Sequence, residues 1–492
     1  MSGAPARSSA STVFAGPVRH VYMHVPFCRV RCDYCDFAST AIGDAPDAAL
    51  LDAFVHGIEA EWGVEAAALG PALGRLHTLY LGGGTPSLLG PDRLERLLEL
   101  FRPHLTPHAE VTVECNPEDV DDAFATWAAA APVVSGAGAA RGLRISLGAQ
   151  SLAPRLRNAL GRRAQADPAD AFRRLRSAGV ANLSVDLIHG IPGQTMADLE
   201  ADIGAVLDLA PDHISWYELT LARGTPLARR LRGRGTGAEG EGQVGGSEGR
   251  IVGEREGQMG HDTGCALCGA VRGAESGAEF GAESGAESGA EGAAGGSALG
   301  EGGDVGDQEP EAVAAATATG VAFAADADDD ARADLYERIV RALSAAGYDW
   351  YEVSNFALPG RRARHNAAYW RARPYLGLGP GAVSTVGALR WRNKPDTAAW
   401  AAALAAGRRP PREEERLDDA TLRRELLMLA SRCGLAVPLA DLGDALDLQA
   451  AGSLAAAGLV SLHSGTIRVT RKGRHVANEV CVRLFRDTRL RG

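Results

Sequence analysis

Cys28, Cys32 and Cys35 form a C-x-x-x-C-x-x-C trio within His24-Val25-Pro26-Phe27-Cys28-Arg29-Val30-Arg31-Cys32-Asp33-Tyr34-Cys35-Asp36-Phe37. Thiolates this close can converge on one metal centre, and no fourth cysteine is near. A zinc site usually closes with four ligands in paired C-x-x-C spacing, and the second pair is missing. A disulfide is disfavoured, because nothing at the N-terminus reads as a secretory signal. Core cysteines would not be expected in a polar Arg/Asp stretch. Iron–sulfur clusters are held by thiolates. Three thiolates on a four-iron cluster leave one iron open. That iron can take a small molecule through its amino and carboxyl groups, and the cofactor then carries the chemistry.

Other chemistry-bearing residues recur at one place in a repeated pattern. Six short apolar runs, Val18–Val25, Leu76–Leu81, Glu110–Glu114, Gly142–Leu147, Asn182–Ile188 and His213–Leu219, alternate with amphipathic stretches. The latter include Asp47–Ala68, Pro91–Phe101, Asp170–Ala178 and Met196–Leu209. Such alternation predicts right-handed βαβ units and a parallel sheet. Six repeats suit an α/β partial (β/α)6 barrel. Polar residues and glycines cluster just after each run, at the strand ends where barrel sites are built. The cysteines follow the first run and Gly82-Gly83-Gly84-Thr85-Pro86-Ser87 the second. Glu114-Cys115-Asn116-Pro117 follows the third and Gln150 the fourth, and Asp186 ends the fifth.

Gly83, Gly84 and Thr85 belong to a glycine run leaving a strand. There the backbone can approach a ligand closely and offer it N–H groups. A plain turn is the alternative. Glu114, Gln150, Arg162 and Asp186 are candidates for holding polar groups of a ligand; capping or turn roles compete. Tyr22 could lie over the site or belong to the core. His365-Asn366-Ala367-Ala368-Tyr369-Trp370 is a second island. A histidine among aromatics suits haem, since imidazole binds iron and aromatic faces cover the macrocycle. Taken alone, a loop histidine is more often structural.

A chain of 492 residues accommodates two or three domains. Its 46% hydrophobic content is ordinary for a globular protein, and no apolar run reaches membrane-spanning length. The net charge of −11 is local. Residues 232–320 hold 16 Asp/Glu against five Arg and no Lys, which accounts for the whole excess. The rest is balanced, so no global electrostatic case for nucleic acid exists. Thiolate ligands argue for a reducing compartment, the cytoplasm.

The expected organisation is a loose tail over 1–17, the barrel over 18–231, a low-complexity insertion over 232–320, an extension over 321–410 and a C-terminal module over 411–492. In the insertion Gly-Ala-Glu recurs five times from Gly273. Such sequence cannot bury enough apolar surface to offset its backbone entropy and is expected to be disordered. His261, Cys265 and Cys268 within it lack a fourth ligand nearby and are read as incidental. Asp328–Ala346 is expected to be helical and Tyr348–Arg390 irregular. The tail, with an amphipathic helix over Thr421–Ser431, a second helix and a hairpin through Gly458-Leu459-Val460 and Thr466–Thr470, is similar to a winged helix. It lacks a strongly basic helix, so packing or a protein partner is favoured over DNA.

The cysteine spacing resembles the radical S-adenosylmethionine (SAM) superfamily, whose [4Fe–4S] cluster binds SAM at the free iron. Taken with Gly82–Ser87, Glu114–Pro117, Arg144–Ser151, Leu183–Thr195, His213–Tyr217, Tyr351–Gly360 and His365–Trp370, the chain is similar to the HemW/HemN group outside the insertion. That resemblance implies Cys28, Cys32 and Cys35 as cluster ligands. It implies Tyr22, Gly83, Gly84, Thr85, Glu114, Gln150, Arg162 and Asp186 as SAM contacts, and His365 in a haem site. The group holds two functional classes, a haem chaperone and the oxygen-independent coproporphyrinogen III dehydrogenase. Asp36-Phe37 after Cys35, where the dehydrogenase has a further cysteine, favours the chaperone. So do the short stretch before Cys28 and the motifs at 351–357 and 365–370. The implied partners are haem and haem-acceptor proteins, respiratory membrane proteins among them. At most peripheral membrane association follows, and a homodimer is compatible. The alternative is radical cleavage of SAM with oxidative decarboxylation of the porphyrinogen. Thr220–Thr225 departs from the pattern by lacking an acidic residue near Ala222.

Overall fold

The computed structural model describes residues 13–131, 143–162, 166–235 and 329–485, with side chains omitted at 232–235 and 329–331. The insertion expected over 232–320, with His261, Cys265 and Cys268, lies outside the described residues apart from the helix end at 232–235.

Six parallel strands pair in chain order: β1 (Val18–Val25), β2 (Leu73–Gly83), β3 (Leu105–Cys115), β4 (Arg144–Gln150), β5 (Asn182–His189) and β6 (His213–Glu218). Helices α1 (Ala48–Leu69), α2 (Pro91–Phe101), α3 (Asp122–Ala130), α4 (Pro154–Ala159), α5 (Pro168–Ala178) and α6 (Met196–Leu209) form the crossovers. Their starts are written locally. Asp47 accepts from the Ala49 N–H, Asp121 from Phe124 and Asp167 from Ala169. Thr195 and Asp198 cap α6 reciprocally.

Each strand alternates, as a period of two requires. Val21, Met23, Leu79, Leu81, Val111, Val113, Ile145, Leu147, Val185 and Ile214 join the main apolar cluster with Ile58, Leu97, Phe124, Phe172 and Ile203 of the helices. Tyr22, Thr78, Tyr80, Thr112, Glu114, Ser146, Asp186 and Ser215 take the alternate positions. The interior of the sheet's curve is therefore polar.

The stretch expected to be irregular, Tyr348–Arg390, is built of short elements. β7 (Asp349–Glu352) and β8 (Asn355–Ala357) extend the sheet antiparallel beyond β6. The helix Arg364–Trp370 follows, and β9 (Leu376–Leu378) pairs parallel with the outer edge of β1. The nine-stranded order is β9-β1-β2-β3-β4-β5-β6-β8-β7. Elements of three to seven residues show no periodicity of their own; their strand and helix states come from partners far away in sequence. Helix α3, also unanticipated, is alanine-rich and short.

The C-terminal residues form their own apolar cluster around Leu427, Leu442, Leu454, Ile467 and Leu484. The long helix Asp419–Cys433, the helix Leu448–Ala456 and the hairpin Val460–His463/Thr466–Val469 are present as anticipated; Val437–Pro438 adds a third strand. This module is tied to the sheet by the Arg432–Glu352 ion pair (2.7 Å) and by Arg474 over the Trp350 ring (4.1 Å).

Candidate functional site

The cysteine loop leaves the C-terminal end of β1 and is pinned on both sides. Thr40 N–H donates to Pro26 O (2.7 Å) and Ile42 N–H to Cys28 O (2.8 Å). Asp33 N–H donates to Leu160 O and Leu227 N–H to Asp33 O. Arg230 ion-pairs with Asp33, and Arg29 with Asp119 (2.8 Å). Gly161 has no Cβ because one would fall 2.3 Å from the Asp33 side chain.

The three thiols are half-buried. Burial raises the Cys35 thiol to about 12, and the neighbouring Cys32 and Cys28 add to the rise. Burial also raises Cys32, against the opposing charge of Arg162. The thiols are thus near enough to feel one another, beside a cation that favours thiolates. No three His, Cys, Asp or Glu side chains among the described residues converge tightly enough for a single metal ion. A four-iron cluster asks less, because each thiolate meets a different iron. Three soft donors on a pinned loop with a nearby cation suit that group.

The glycine turn lies beside this loop. Gly84 N–H donates to Val25 O and Thr85 N–H to Phe27 O (2.7 Å each). A Cβ on Gly84 would meet Phe27 O at 2.4 Å, and Gly83 adopts φ +106° with His24 packed against it. Glu114 accepts from the Tyr80 hydroxyl (2.7 Å) and from Gly83 N–H (3.1 Å). Asp186 accepts from the Ser146 hydroxyl (2.9 Å). Arg162 donates to Asn116 Oδ1 (2.9 Å), and its guanidinium and Gln150 both border Gly148. Gln150 itself holds a left-handed φ of +65°, a strained state for a side-chain-bearing residue. Tyr22 stacks on Tyr80 and donates to His24 Nδ1 (3.0 Å), since His24 Nε2–H is spent on Ala38 O (2.8 Å).

Cys28, Cys32, Cys35, Gly83, Gly84, Thr85, Glu114, Gln150, Arg162 and Asp186 therefore gather at the C-terminal strand ends. Tyr22 sits one layer deeper. Tyr80, Asn116, Ser146 and His24 were not singled out from sequence. The signal for Tyr80 and Ser146 was available: each shares the polar phase of its strand with a candidate.

His365 lies elsewhere. It is buried at the opposite end of the strands, on a helix rather than a loop. Its Nδ1 bonds Thr78 Oγ1 (2.7 Å), its Nε2 bonds the Tyr369 hydroxyl (3.0 Å), and its ring stacks on Tyr80. Glu110 of β3 accepts from Arg364 N–H (2.8 Å) and His365 N–H (3.0 Å), capping this helix across the sheet.

Burial raises Glu114 to about 7, with the Asp186 charge contributing, and raises Asp186 to about 6 against its hydroxyl partners and Arg144 and Arg162. Both sit above their ordinary values of 4.5 and 3.8. Their contribution to stability is therefore full below those values and lost as pH rises through about 6 to 7. If the amino group of an iron-held ligand donates its N–H to Glu114, the carboxylate form is favoured instead. SAM binding should strengthen roughly tenfold on going from about pH 6 to about pH 8, and Glu114→Gln should flatten that rise. Equilibrium dialysis of the cluster-loaded protein at the two pH values checks this; an equal slope in the variant refutes it.

Residues 22–206 match the model of the radical SAM superfamily. The chain is 32% identical to "Heme chaperone HemW" of Mycobacterium tuberculosis, over 94% of this chain and 93% of that one. It is 27% identical to "Heme chaperone HemW" of Escherichia coli K12, over 75% of this chain and 71% of that one. Among solved structures it resembles the coproporphyrinogen III oxidase HemN of Escherichia coli, described as a radical SAM enzyme. The TM-score is 0.61 at 17% identity, covering 96% and 91% of the two chains, which is a likeness of fold.

Proposed function

The chain belongs to the HemW family of radical SAM proteins, and from that membership we propose that it is a haem chaperone, binding haem and passing it to acceptor proteins. Membership of the superfamily implies a [4Fe–4S] cluster and SAM. The observation that carries the chaperone reading is the nearly end-to-end likeness to a relative of that name. Asp36-Phe37 after Cys35, in place of a further cysteine, supports it over the dehydrogenase.

In this reading Cys28, Cys32 and Cys35 hold the cluster and leave one iron for SAM. The cluster, when bound, supplies the single electron that can cleave SAM. The chain's own residues position the ligand. The turn at Gly83 and Gly84 lets main-chain groups approach the methionine end. Glu114 accepts from the N–H of the amino group, with Tyr80 and Gly83 N–H fixing its two oxygens. Arg162 supplies positive charge between Asn116 and the cysteine loop. Asp186, held by Ser146, faces the ribose or adenine side. A thiolate-held cluster supports a reducing compartment, the cytoplasm. Acceptors include respiratory membrane proteins reached by at most peripheral contact; no described helix is long and apolar enough to cross a membrane.

The test is an anaerobic titration of cluster-loaded protein with haem, followed by Soret absorbance. Saturation at one haem per chain is expected. A featureless, non-saturating titration refutes the reading and turns attention to porphyrinogen decarboxylation.

A further inference from the structure

Asp119 closes the single helical turn Pro117–Asp119 beyond Glu114, and its side chain is 3% exposed. A buried carboxylate persists only where donors meet its oxygens. Here the donors come from two separate loops, and each loop takes one oxygen.

The first donor is Arg29, inside the cysteine loop and next to Cys28. Its Nε–H and Nη2–H both reach Asp119 Oδ1 (2.9 and 2.8 Å), and its Nη1–H reaches Asp44 O (2.9 Å). A planar guanidinium held at all three nitrogens is fixed in direction as well as in distance. The second donor is Ser87, in the turn Pro86–Leu89 that continues from Gly83 and Gly84. Its hydroxyl donates to Asp119 Oδ2 (2.6 Å). One carboxylate thus ties the loop that carries the cysteines to the glycine turn.

The serine extends the connection. With its proton directed at Asp119, Ser87 Oγ offers a lone pair, and the Asn116 N–H donates to it (3.1 Å). Asn116 Oδ1 then accepts from Arg162 Nη2–H (2.9 Å). The connection ends on the guanidinium that, with Gln150, borders Gly148. Anchoring the cysteine loop alone would need only Oδ1. The arm through Ser87, Asn116 and Arg162 holds no cysteine; every member of it lies on the ligand side.

We propose that Asp119 is a positioning residue for SAM. It does not touch the ligand. It fixes the spacing between the loop that carries the open iron and the turn and guanidinium that meet the ligand's polar groups. The role requires two acceptor oxygens. An amide offers one oxygen and one NH2, so at Asp119→Asn one of the two arms faces a donor where it had an acceptor. The inference rests on the cluster-and-SAM reading above and adds a residue to it.

The test uses the full chain reconstituted anaerobically with iron and sulfide, as wild type, Asp119→Asn and Ser87→Ala. The serine variant leaves the Arg29–Asp119 pair in place. Iron per chain, SAM affinity by equilibrium dialysis, and EPR of the reduced cluster with and without SAM are read on the same samples. Wild-type iron content is expected in both variants, because the loop keeps its bonds from Thr40 to Pro26 and from Asp33 to Leu160. SAM binding should weaken about tenfold in Asp119→Asn and at least about threefold in Ser87→Ala. Their EPR spectra should match wild type without SAM and differ from it with SAM. A loaded variant of either kind that binds SAM with wild-type affinity and shows the wild-type SAM-induced spectrum overturns the proposal. Should Asp119→Asn fail to load, Ser87→Ala decides alone by the same criterion. If loaded wild type takes up no SAM, the cluster-and-SAM reading falls and this inference with it.

Discussion

Replacing Cys32 with serine abolishes iron–sulfur loading and leaves the fold standing. The hydroxyl of serine is a poor iron ligand, and with only three thiols in the loop no spare can substitute. The loop's shape does not depend on the sulfur. It is held by main-chain bonds from Asp33 to Leu160 and from Leu227 to Asp33, and by the Arg29–Asp119 pair. The thiol is only half-buried, so the change in unfolding free energy of the metal-free chain should stay within about 1 kcal/mol. Iron and sulfide analysis after anaerobic reconstitution, with denaturant unfolding of the apo form, checks both halves. A variant that loads like wild type would remove Cys32 from the ligand set.

Replacing Glu110 with alanine destabilises the chain by about 3–5 kcal/mol, the usual cost of stripping one partner from a buried ion pair. Glu110 is 8% exposed and faces Arg144, which is 3% exposed, at 3.3 Å. Arg144 also donates to Arg361 O (2.8 Å) and already carries two side-chain nitrogens without partners, so little is left to compensate its charge. The same carboxylate caps the helix Arg364–Trp370, whose own N-cap residue, Ala363, offers no side-chain acceptor. One substitution therefore removes a charge partner and a helix cap together. Glu110→Gln keeps an acceptor and the shape, and should lose less. Urea unfolding midpoints measure both; a loss below about 1 kcal/mol for alanine would show that the 361–370 segment is held by other contacts.

The two ends of the barrel were unequally legible. The strands announced themselves through alternation: in Val111-Thr112-Val113-Glu114 the valines pack on helices while the polar residues turn inward. Strand ends could then be read off, and with them the co-location of the cysteines, the glycine turn, Glu114 and Asp186. His365 was found as a residue but not as an environment. Its partner Thr78 lies 287 positions away and its main-chain cap Glu110 lies 255 away, so nothing local shows that both ring nitrogens are engaged. The aromatic stretch around it resisted reading for the same reason. β8 and β9 are short strands whose pairing is dictated by β6 and β1, and β7 pairs with β8 in turn.

The most direct test of a carrier against a catalyst is one anaerobic sample of cluster-loaded protein with reductant, SAM, haem and coproporphyrinogen III. Haem retained on the chain and decarboxylated porphyrinogen are quantified together over time. The expected result is one haem per chain and no decarboxylated product. Product accumulating over many turnovers, with haem left free in solution, would contradict the chaperone account.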